Sequence, residues 1–290
     1  MTENKSDCKV LVITVHYKTN DGVLALLESL QTLREFSMTY TIIADNSSGP
    51  EHVAKVRAGL PDISSVELLE LPVNRGYFGA ARFAFDDYLA KGQGLPDWVI
   101  VCNHDVVIED KEFFVKLFAQ DPAGVGVIAP RIQVAPGRMD QNPFMRRRPG
   151  RLRWAGLRLS FSSYGLASVW DWLSRRKHAW KSYLAARTGK QTGKRGEERR
   201  AIYAGHGAFF IFSRKYFEAG GYLDGNLFLY GEEISVAEIC RSLGLAVVYD
   251  PSLKVSHRAH TSTGNSISRF SFECQKKALE YVSARYLTCW

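Results

Sequence analysis

The stretch VIVCNHDVVI, residues 99–108, points most directly to the fold of this chain. Its apolar residues predict a strand buried on both faces, as strands are in parallel sheets covered by helices. Asn103, His104 and Asp105 interrupt that run, and burying such polar groups without partners costs free energy. Two interpretations follow. Either a buried hydrogen-bond network satisfies these side chains, or the strand ends there and presents them to something outside.

Similar apolar runs recur along the chain and alternate with helical patterns. Strands are predicted at residues 10–15, 39–44, 66–71, 98–101, 125–129 and 246–249. Helical patterns fill most of the intervals, among them a helix that opens at NRGYFGA and runs to about residue 90. This alternation predicts an α/β protein with a doubly wound, mostly parallel central sheet flanked by helices. Such sheets bind ligands at the carboxyl ends of their strands.

The positive charge of the chain is concentrated in one segment. All 290 residues together carry a formal net charge of +8, whereas residues 138–200 hold 17 Lys or Arg against 4 Asp or Glu. The rest of the chain is therefore net acidic. Because this segment also breaks the alternation of strands and helices, we predict a basic, aromatic-rich helical insertion over 136–200, with a mobile loop at 188–200.

Residues 146–180 of the insertion combine cationic clusters with aromatic side chains, including Trp154, Trp170, Trp172 and Trp180. That composition is typical of a segment lying on an anionic membrane surface. A packed helical pair with basic edges, an oligomer contact and a nucleic-acid patch are the competing interpretations. Since no nucleic-acid-binding motif accompanies the charge, we expect no nucleic-acid partner.

Three further features bear on the compartment. No apolar run is long enough to span a bilayer, and the N-terminal MTENKSDCKV lacks the pattern of a secretion signal. The five scattered cysteines are expected to be reduced thiols. We therefore expect a cytoplasmic protein, with peripheral attachment to the inner face of the cell membrane as the alternative that the basic insertion leaves open.

Polar residues follow four of the predicted strands, namely TVHY (14–17), Asp45 with Asn46, NRGYFGAA (74–81) and NHD (103–105). Each motif alone is a weak signal, but the carboxyl ends of parallel strands meet at one edge of a sheet. Asp105 is the most informative, because a carboxylate with a neighbouring oxygen ligand suits a hard divalent cation that bridges a diphosphate. The alternative is a buried aspartate that caps the next turn.

Downstream, Glu232 and Glu233 stand at the start of a predicted amphipathic helix. They can simply complement the helix dipole. Because they follow the apolar run Phe228–Tyr230, partial desolvation would instead raise a carboxyl pKa and suit one of them to general-base work. His257 is a candidate metal ligand or a structural histidine. His206, which precedes Gly207 in a tight loop, is a candidate for an acceptor site.

The sequence resembles family 2 glycosyltransferases with the GT-A fold, the group that includes bacterial rhamnosyl- and galactosyltransferases of surface polysaccharide assembly. The resemblance covers roughly residues 9–135 and 200–265. It rests on seven segments in family order: VLVITVHYKTN, IIADNSSG, NRGYFGAARFAF, WVIVCNHDVVI, YAGHGAFFIFSRKYFEAGGYLD, FLYGEEISVAEICRSLGL and YDPSLKVSHRAHTSTG.

The resemblance implies a set of donor contacts. These are Thr14, Val15, His16 and Tyr17 around the base and ribose, Asp45 on the base, and Asn74, Arg75 and Gly76 near the ribose and diphosphate. Asn103 and Asp105 occupy the DxD-type motif, so that Asp105, completed by His257, would hold Mg²⁺ or Mn²⁺. Asn103 departs from the motif because it is a neutral ligand where an aspartate is usual.

Glu233 matches the position of the presumed base, where aspartate is commoner, and Glu232 remains a rival for that role. His206 and Gly207 would then lie at the acceptor. The implied activity is an inverting, metal-dependent transfer from a nucleotide-sugar to a hydroxyl of a glycan acceptor, usually lipid-linked, in cell-surface polysaccharide synthesis. A sugar nucleotidyltransferase and a non-catalytic sugar-nucleotide or membrane-binding protein are the alternatives.

The implied organisation has four parts. Residues 1–135 would form the nucleotide-sugar-binding half of a GT-A domain and residues 201–265 its acceptor-binding half. The basic insertion of 136–200 would separate them, and a C-terminal helix would occupy 266–290.

Overall fold

The computed structural model describes residues 8–134, 140–188, 198–258 and 267–287. Most of the loop predicted at 188–200 therefore lies outside the described residues.

Four parallel strands form one half of the central sheet: β1 (Val10–His16), β2 (Thr39–Asp45), β3 (Val66–Glu70) and β4 (Trp98–Asn103). The helices that connect them are α1 (Asn20–Gln31), α2 (Pro50–Ala58) and α3 (Tyr77–Ala90). β1 lies between β2 and β4, so that Val12 pairs with Thr41 on one side and with Ile100 on the other. Each of these strands lies where an apolar run predicted it, and β1, β2 and β4 extend further, to a polar residue.

Five further strands complete the sheet: β5 (Val106–Val107), β6 (Val127–Val134), β7 (Arg200–Ile202), β8 (Phe209–Ser213) and β9 (Val247–His257). The strand order is β3-β2-β1-β4-β8-β6-β9-β5, and β7 pairs with β9. β8 runs antiparallel to both of its neighbours, whereas β6 and β9 are parallel. The predicted class, an α/β protein with a mostly parallel sheet flanked by helices, is confirmed.

Helices cover both faces of this sheet. Since successive side chains of a strand point to opposite faces, the inner strands supply two separate cores. Leu11 and Val99 pack with Phe78 of α3 on one face. Val10 packs with Leu26 of α1 on the other, and all five side chains are fully buried. Burial on both faces explains why these strands are apolar throughout.

The remaining helices are α4 (Phe113–Phe118), α5 (Arg151–Ser160), α6 (Tyr164–Thr188), α7 (Arg214–Glu218), α8 (Glu232–Ser242) and α9 (Arg269–Tyr286). The predicted insertion thus forms two helices, α5 and α6, and both contact α9 or the residues before it. The indole N–H of Trp154 donates to Ser283 Oγ at 2.8 Å, and the hydroxyl of Tyr164 donates to the Ile267 carbonyl at 2.8 Å.

A buried ion-pair network ties the segment before α5 to the middle of α8. The Arg148 guanidinium donates two hydrogen bonds to the Glu238 carboxylate, at 2.7 and 3.1 Å. The Tyr203 hydroxyl donates to the same carboxylate at 2.7 Å, and Arg241 Nε at 2.9 Å. Burial alone would raise the pKa of Glu238, but these donors outweigh it and hold the pKa below its usual value.

α5 and the first half of α6 also present large apolar side chains to solvent: Leu152, Leu159, Leu166, Val169, Trp170 and Trp172. Leu152 is 91% exposed, and the Arg176 guanidinium lies 4.7 Å from the centre of the Trp172 ring. Among the helices of the described residues, none combines the length and the apolar composition that crossing a membrane requires.

Candidate active site

His16 and Asp45 meet where β1 and β2 end, because the parallel register pairs these two residues. His16 Nδ1 lies 2.7 Å from Asp45 Oδ1, and the second carboxylate oxygen of Asp45 accepts the Ser48 N–H at 3.1 Å. His16 Nε2 lies 3.1 Å from Asn20 Oδ1. Both His16 and Asp45 are buried. This network ties the turn after β2 to the start of α1 at the carboxyl ends of the strands.

The other three residues of the TVHY motif differ in exposure. The side chains of Thr14 and Val15 are buried within the sheet, whereas Tyr17 is 43% exposed. The Lys18 ammonium lies 5.1 Å from the centre of the Tyr17 ring. Of this motif, therefore, Tyr17 is the residue whose side chain is exposed at the end of β1.

Asn46, a buried residue next to Asp45, holds the loop of residues 74–76. Its amide donates to Asn74 Oδ1 at 2.9 Å and to the Gly76 carbonyl at 3.2 Å. Its side-chain oxygen accepts the Arg75 N–H at 2.7 Å. Asn46 thus brings the predicted residues Asn74, Arg75 and Gly76 to the end of β2.

Gly76 joins this loop to a second one, residues 224–231. Its φ of +72° is left-handed, and a Cβ built on it would lie 2.1 Å from the Phe228 carbonyl oxygen. The next residue, Tyr77, donates its N–H to that same oxygen at 3.0 Å. Glycine is required here both by the backbone conformation and by the contact.

Asp105 and His257 are brought together by the short pairing of β5 with β9, in which Val106 faces His257. Asp105 Oδ1 lies 3.1 Å from His257 Nε2, and the other ring nitrogen of His257 lies 2.8 Å from Gln141 Oε1. Burial would raise the pKa of Asp105, but the hydrogen bond and charge of His257 and the charge of His104 outweigh it, so its pKa is lowered. The carboxyl is therefore ionised at neutral pH.

The side chains of Asp105 and His257 suit a metal ion that is also bound by a diphosphate. No group of three or more His, Cys, Asp or Glu side chains within the described residues could hold a metal by itself. Asp105 and His257 supply one carboxylate and one imidazole, and Gln141 holds the imidazole in place as an outer partner. Mg²⁺ commonly takes one or two protein ligands and completes its shell with phosphate oxygens and water.

His104 points in a different direction from its neighbours. A Cβ built on Gly22 would lie 2.8 Å from His104 Cδ2, so the imidazole packs against the first turn of α1. Asn103 ends β4, and its N–H donates to the Ala208 carbonyl at 2.9 Å. The strand therefore does end at the NHD motif, and Asp105 enters a network with His257.

Two left-handed residues, Tyr230 (φ 71°) and Gly231 (φ 91°), reverse the chain immediately before α8. Glu233 then lies in the first turn, where its Oε1 accepts the Gly207 N–H at 3.1 Å. Glu232 is only 5% exposed. Burial raises the pKa of both carboxyls, and the neighbouring charge of Glu233 adds to the shift at Glu232. A raised pKa suits a carboxylate to proton transfer near neutral pH.

His206 lies near His257 on one side and near Glu233 on the other. Its ring centre lies 6.3 Å from that of His257, and its Nδ1 accepts the Ala208 N–H at 3.1 Å. Its own N–H donates to Asn142 Oδ1 at 2.7 Å. Burial, and then the charge of His257, lower the pKa of His206 to about 4. The neutral ring therefore carries its proton on Nε2.

An apolar cavity of about 380 Å³ opens beside Glu233 and His206. We call it the α5–α9 cavity, because α5 and α9 together supply six of its fourteen lining residues. Its lining residues are Phe144, Met145, Trp154, Leu157, Phe161, His206, Tyr230, Gly231, Glu233, Ile234, Gln275, Ala278, Leu279 and Val282. Glu233 lines this cavity, whereas Glu232 does not.

The structure therefore groups the predicted residues into three sets: His16 with Asp45, Asn74 to Gly76, and Asp105 with His257, His206, Gly207 and Glu233. Gln141 and Asn142 were not predicted as members of the site, and Asn46 was named only together with Asp45 in the turn after β2. Asn46 had one local signal, its place beside Asp45 in the turn after β2. Gln141 and Asn142 had none, because their partners His257 and His206 are distant in sequence.

Comparison with protein-family models finds no match for this chain. Comparison with curated protein sequences finds no match either.

Solved structures, in contrast, share the architecture. GalNAc-T7, solved with UDP, GalNAc and Mn²⁺, is 16% identical with a TM-score of 0.56, over 98% of this chain and 49% of its own. The Pyrobaculum calidifontis mannosyltransferase PcManGT, in complex with GDP-Man and Mn²⁺, is 14% identical with a TM-score of 0.51, over 95% and 73%. S. aureus TarS is 12% identical with a TM-score of 0.50, over 97% and 44%.

This chain thus spans about half the length of the GalNAc-T7 chain that it matches. At such low identities the likeness concerns the arrangement of strands and helices. The sheet order and the helices on both faces, together with these neighbours, establish that the chain has the GT-A fold.

Proposed function

We propose that this protein is an inverting, metal-dependent glycosyltransferase that moves a sugar from a nucleotide-sugar donor to a hydroxyl of a glycan acceptor. One observation carries the proposal: the loop of residues 206–208 joins the Asp105–His257 pair to Glu233. Gly207 holds the Glu233 carboxylate at 3.1 Å, and the neighbouring His206 ring lies 6.3 Å from that of His257. The candidate cation site and the candidate base are therefore linked through one short loop.

Asp105 and His257 are the residues that would hold Mg²⁺ or Mn²⁺, with Asn103 as a neutral neighbour. When bound there, the cation would stabilise the charge of the diphosphate leaving group. Two of the fold neighbours, GalNAc-T7 and PcManGT, were solved with Mn²⁺ and with UDP or GDP-Man, which supports this assignment.

The donor nucleotide would lie along the ends of β1 and β2. The exposed Tyr17 ring and the Asn74–Gly76 loop would contact the nucleotide. The buried His16–Asp45 pair would hold the ends of β1 and β2 in place beneath the nucleobase. The Thr14 and Val15 side chains are buried, so the part of them that can approach a nucleotide is the backbone.

Glu233 would take the proton of the acceptor hydroxyl as the oxygen forms its bond to the anomeric carbon. The bond from that carbon to the phosphate oxygen breaks at the same time, and the nucleoside diphosphate leaves with the bonding electrons. A single displacement of this kind inverts the anomeric centre. Glu232 is the weaker candidate for the base because it is buried and does not line the α5–α9 cavity.

The finer assignments follow from the sequence resemblance to family 2 glycosyltransferases. We propose a role in cell-surface polysaccharide synthesis, with a lipid-linked glycan acceptor and a hexosyl or rhamnosyl donor. In the same reading, residues 1–135 bind the donor and residues 201–265 bind the acceptor, with 136–200 as the insertion and 266–290 as the C-terminal helix.

An anionic membrane surface is the partner proposed for residues 146–180, in a cytoplasmic protein. The exposed side chains of Leu152, Trp170 and Trp172, with the arginines of α5 and α6, support that contact. Flotation with vesicles of anionic lipid at low ionic strength tests it. A protein that stays at the bottom of the gradient contradicts membrane attachment without affecting the transferase proposal.

The central experiment is a panel of sugar nucleotides with Mn²⁺ or Mg²⁺, in which donor binding and slow donor hydrolysis are measured. We expect one donor to bind in a cation-dependent manner. The variant Asp105→Ala should lose that dependence, and Glu233→Gln should bind the donor but lose transfer once an acceptor is found. A wild type that binds no donor, or an Asp105→Ala variant that behaves like it, would overturn the proposal.

A further inference from the structure

We infer that the α5–α9 cavity binds an apolar aglycone, the hydrocarbon or aromatic group attached to the sugar that accepts the transfer. The inference rests on the proposed function, because it concerns the acceptor side of the same site. It adds a subsite and a chemical class of ligand, and it gives the insertion a role in building that subsite.

The chemistry of the wall supports an apolar ligand. Of the lining residues, Phe144, Trp154, Leu157, Phe161, Leu279 and Val282 present carbon surfaces. Within this lining, which consists of described residues, Glu233 is the one acidic side chain, and neither lysine nor arginine contributes. A sugar buried deep in the cavity would leave several hydroxyls without partners, which is costly.

The cavity is also a defined part of the fold. The indole N–H of Trp154 is held by Ser283 Oγ at 2.8 Å, and that oxygen donates in turn to the Leu279 carbonyl. The walls from α5 and α9 are therefore fixed to each other. An apolar space that is never filled destabilises a protein in proportion to its volume. A volume of about 380 Å³ also lies within the range of ligand pockets, about 300–1,000 Å³.

The polar groups of the lining indicate how a ligand would be oriented. His206 packs against His257, and its neighbour Gly207 holds Glu233, whereas Trp154 and Val282 belong to the cluster packed between α5, α8 and α9. A ligand with its reacting hydroxyl at Glu233 would place its apolar portion against that cluster. The subsite thus favours an acceptor whose apolar group lies close to the hydroxyl that reacts.

The test uses n-alkyl glucosides as probes, from methyl to decyl, each below its micelle-forming concentration and with the complete protein. Binding is measured by calorimetry. We expect the dissociation constant to fall about fourfold for each added methylene, the value for full burial. The fall should stop once the cavity is filled. A series that shows no dependence on chain length would overturn the inference.

Paired variants separate the cavity from the exposed apolar face of α5 and α6. Ala278→Phe places a ring in the cavity, whereas Ala284→Phe adds the same ring at an exposed position of the same helix. We expect Ala278→Phe to abolish the chain-length dependence and Ala284→Phe to preserve it, along with donor hydrolysis. If both variants keep the dependence, the alkyl chain binds elsewhere and the inference fails.

A second variant guards against misfolding of Ala278→Phe, which thermal unfolding would reveal. Leu279→Ala enlarges the cavity, so the fall in dissociation constant should continue to longer chains than in the wild type. If the dissociation constant stops falling at the same chain length as in the wild type, the inference is contradicted. Donor hydrolysis by the wild type with no chain-length dependence would refute the apolar subsite alone. Chain-length dependence without donor binding would refute the transferase proposal instead.

Discussion

The edge formed by the ends of β1, β2 and β4 and the wall of the α5–α9 cavity are built in different ways. At the strand-end edge, backbone register places the candidate side chains: His16 pairs with Asp45 in the β1–β2 ladder, and Asp105 is the second residue after β4. At the cavity, side-chain contacts between distant helices create the wall, as between Trp154 and Ser283. The first arrangement depends on backbone pairing within the sheet. The second depends on side chains of helices that lie outside the sheet.

This difference has a functional meaning. On the proposed function, the strand ends supply the donor side, because parallel strands converge at one edge of a sheet. The helical wall depends on particular pairs such as Arg148–Glu238, so that it can vary without disturbing the strand ends. We therefore expect substitutions in the two regions to separate donor binding from acceptor binding.

The largest effect is expected at Glu233, where the two regions meet. Glu233→Gln should reduce transfer by about 10²–10⁴-fold while donor affinity stays near that of the wild type, because the amide cannot accept the hydroxyl proton. Glu232→Gln is the matched control and should keep most of the activity. Steady-state transfer rates and donor titrations measure both. Full activity in Glu233→Gln would place the base elsewhere.

The pH dependence of transfer should follow the ionisation of Glu233. Since burial raises the pKa of Glu233, its ionised form increases with pH above the usual range of a glutamate, and the rate should rise with it. Burial and then the charge of Glu233 raise the pKa of Glu232 to about 8, so Glu232 is still neutral while Glu233 ionises. Glu232→Gln should therefore leave the rise at nearly the same pH. A rise displaced to lower pH would show that Glu232 carries its charge before Glu233 does.

The largest loss of stability is expected at Gly76, which connects the strand-end edge to the loop before α8. Gly76→Ala should destabilise the protein by about 3–4 kcal/mol, because the new methyl group meets the Phe228 carbonyl oxygen. Gly92→Ala is the control. Gly92 has nearly the same φ, +73°, but nothing lies within 4 Å of its added Cβ. That variant should cost about 1–2 kcal/mol, the price of the left-handed conformation for a residue with a Cβ.

Denaturant unfolding of the two glycine variants measures the difference. If both lose the same stability, the left-handed conformation accounts for the whole effect, and the contact with Phe228 contributes nothing.

A smaller effect is expected at Glu238, which belongs to the support of the cavity wall. Glu238→Gln should lower the free energy of unfolding by about 2–3 kcal/mol at pH 7, since it leaves the partly buried Arg148 without its counter-charge. The native pKa of Glu238 is lowered, so its contribution is present above the unfolded pKa and is lost as the pH falls through the native value. The difference between the two proteins should therefore shrink progressively as the pH falls below about 4.

Glu112→Gln is the control, because its partner Arg34 is mostly exposed and the pair should be worth less than about 1 kcal/mol. Glu238→Gln should also weaken binding of octyl glucoside and leave donor binding intact. A loss of donor binding would show that the two regions are not independent.

The smallest effect is expected at Asn46. Asn46→Ala removes three hydrogen bonds to residues 74–76 and should raise the donor dissociation constant by about 5–30-fold, equivalent to about 1–2 kcal/mol. Binding of octyl glucoside should not change. Calorimetric titration with each ligand checks both statements. An effect on both ligands would contradict the separation of the two regions.

Much of the strand-end edge could be predicted from the sequence. Apolar runs located β1, β2, β3 and β4, and parallel strands bring whatever follows them to one edge, so Asp45 and Asp105 could both be assigned to that edge of the sheet. The polar ends of β1 and β2 were missed by one residue. His16 and Asp45 continue the ladder because each supplies the hydrogen-bond partner of the other.

The cavity wall could not be predicted in the same way. Residues 136–200 were treated as one insertion, but Gln141 and Asn142 in that range contact His257 and His206. β9 was predicted to end at Tyr249. It continues to His257 because an irregularity in its pairing with β6 accommodates Pro251 and restores the ladder beyond it. Such contacts depend on partners far along the chain, and local patterns carry no record of them.

The contact between Gly76 and Phe228 has a consequence for comparing this chain with others. Any sequence aligned here that carries a side chain at the position of Gly76 must route the 224–231 loop along another path. The carboxylate that follows that loop would then start from a different place. Glycine at this position is therefore a criterion for deciding whether an acidic residue in a distant relative corresponds to Glu233, and it can be applied where overall identity is too low to align the two loops directly.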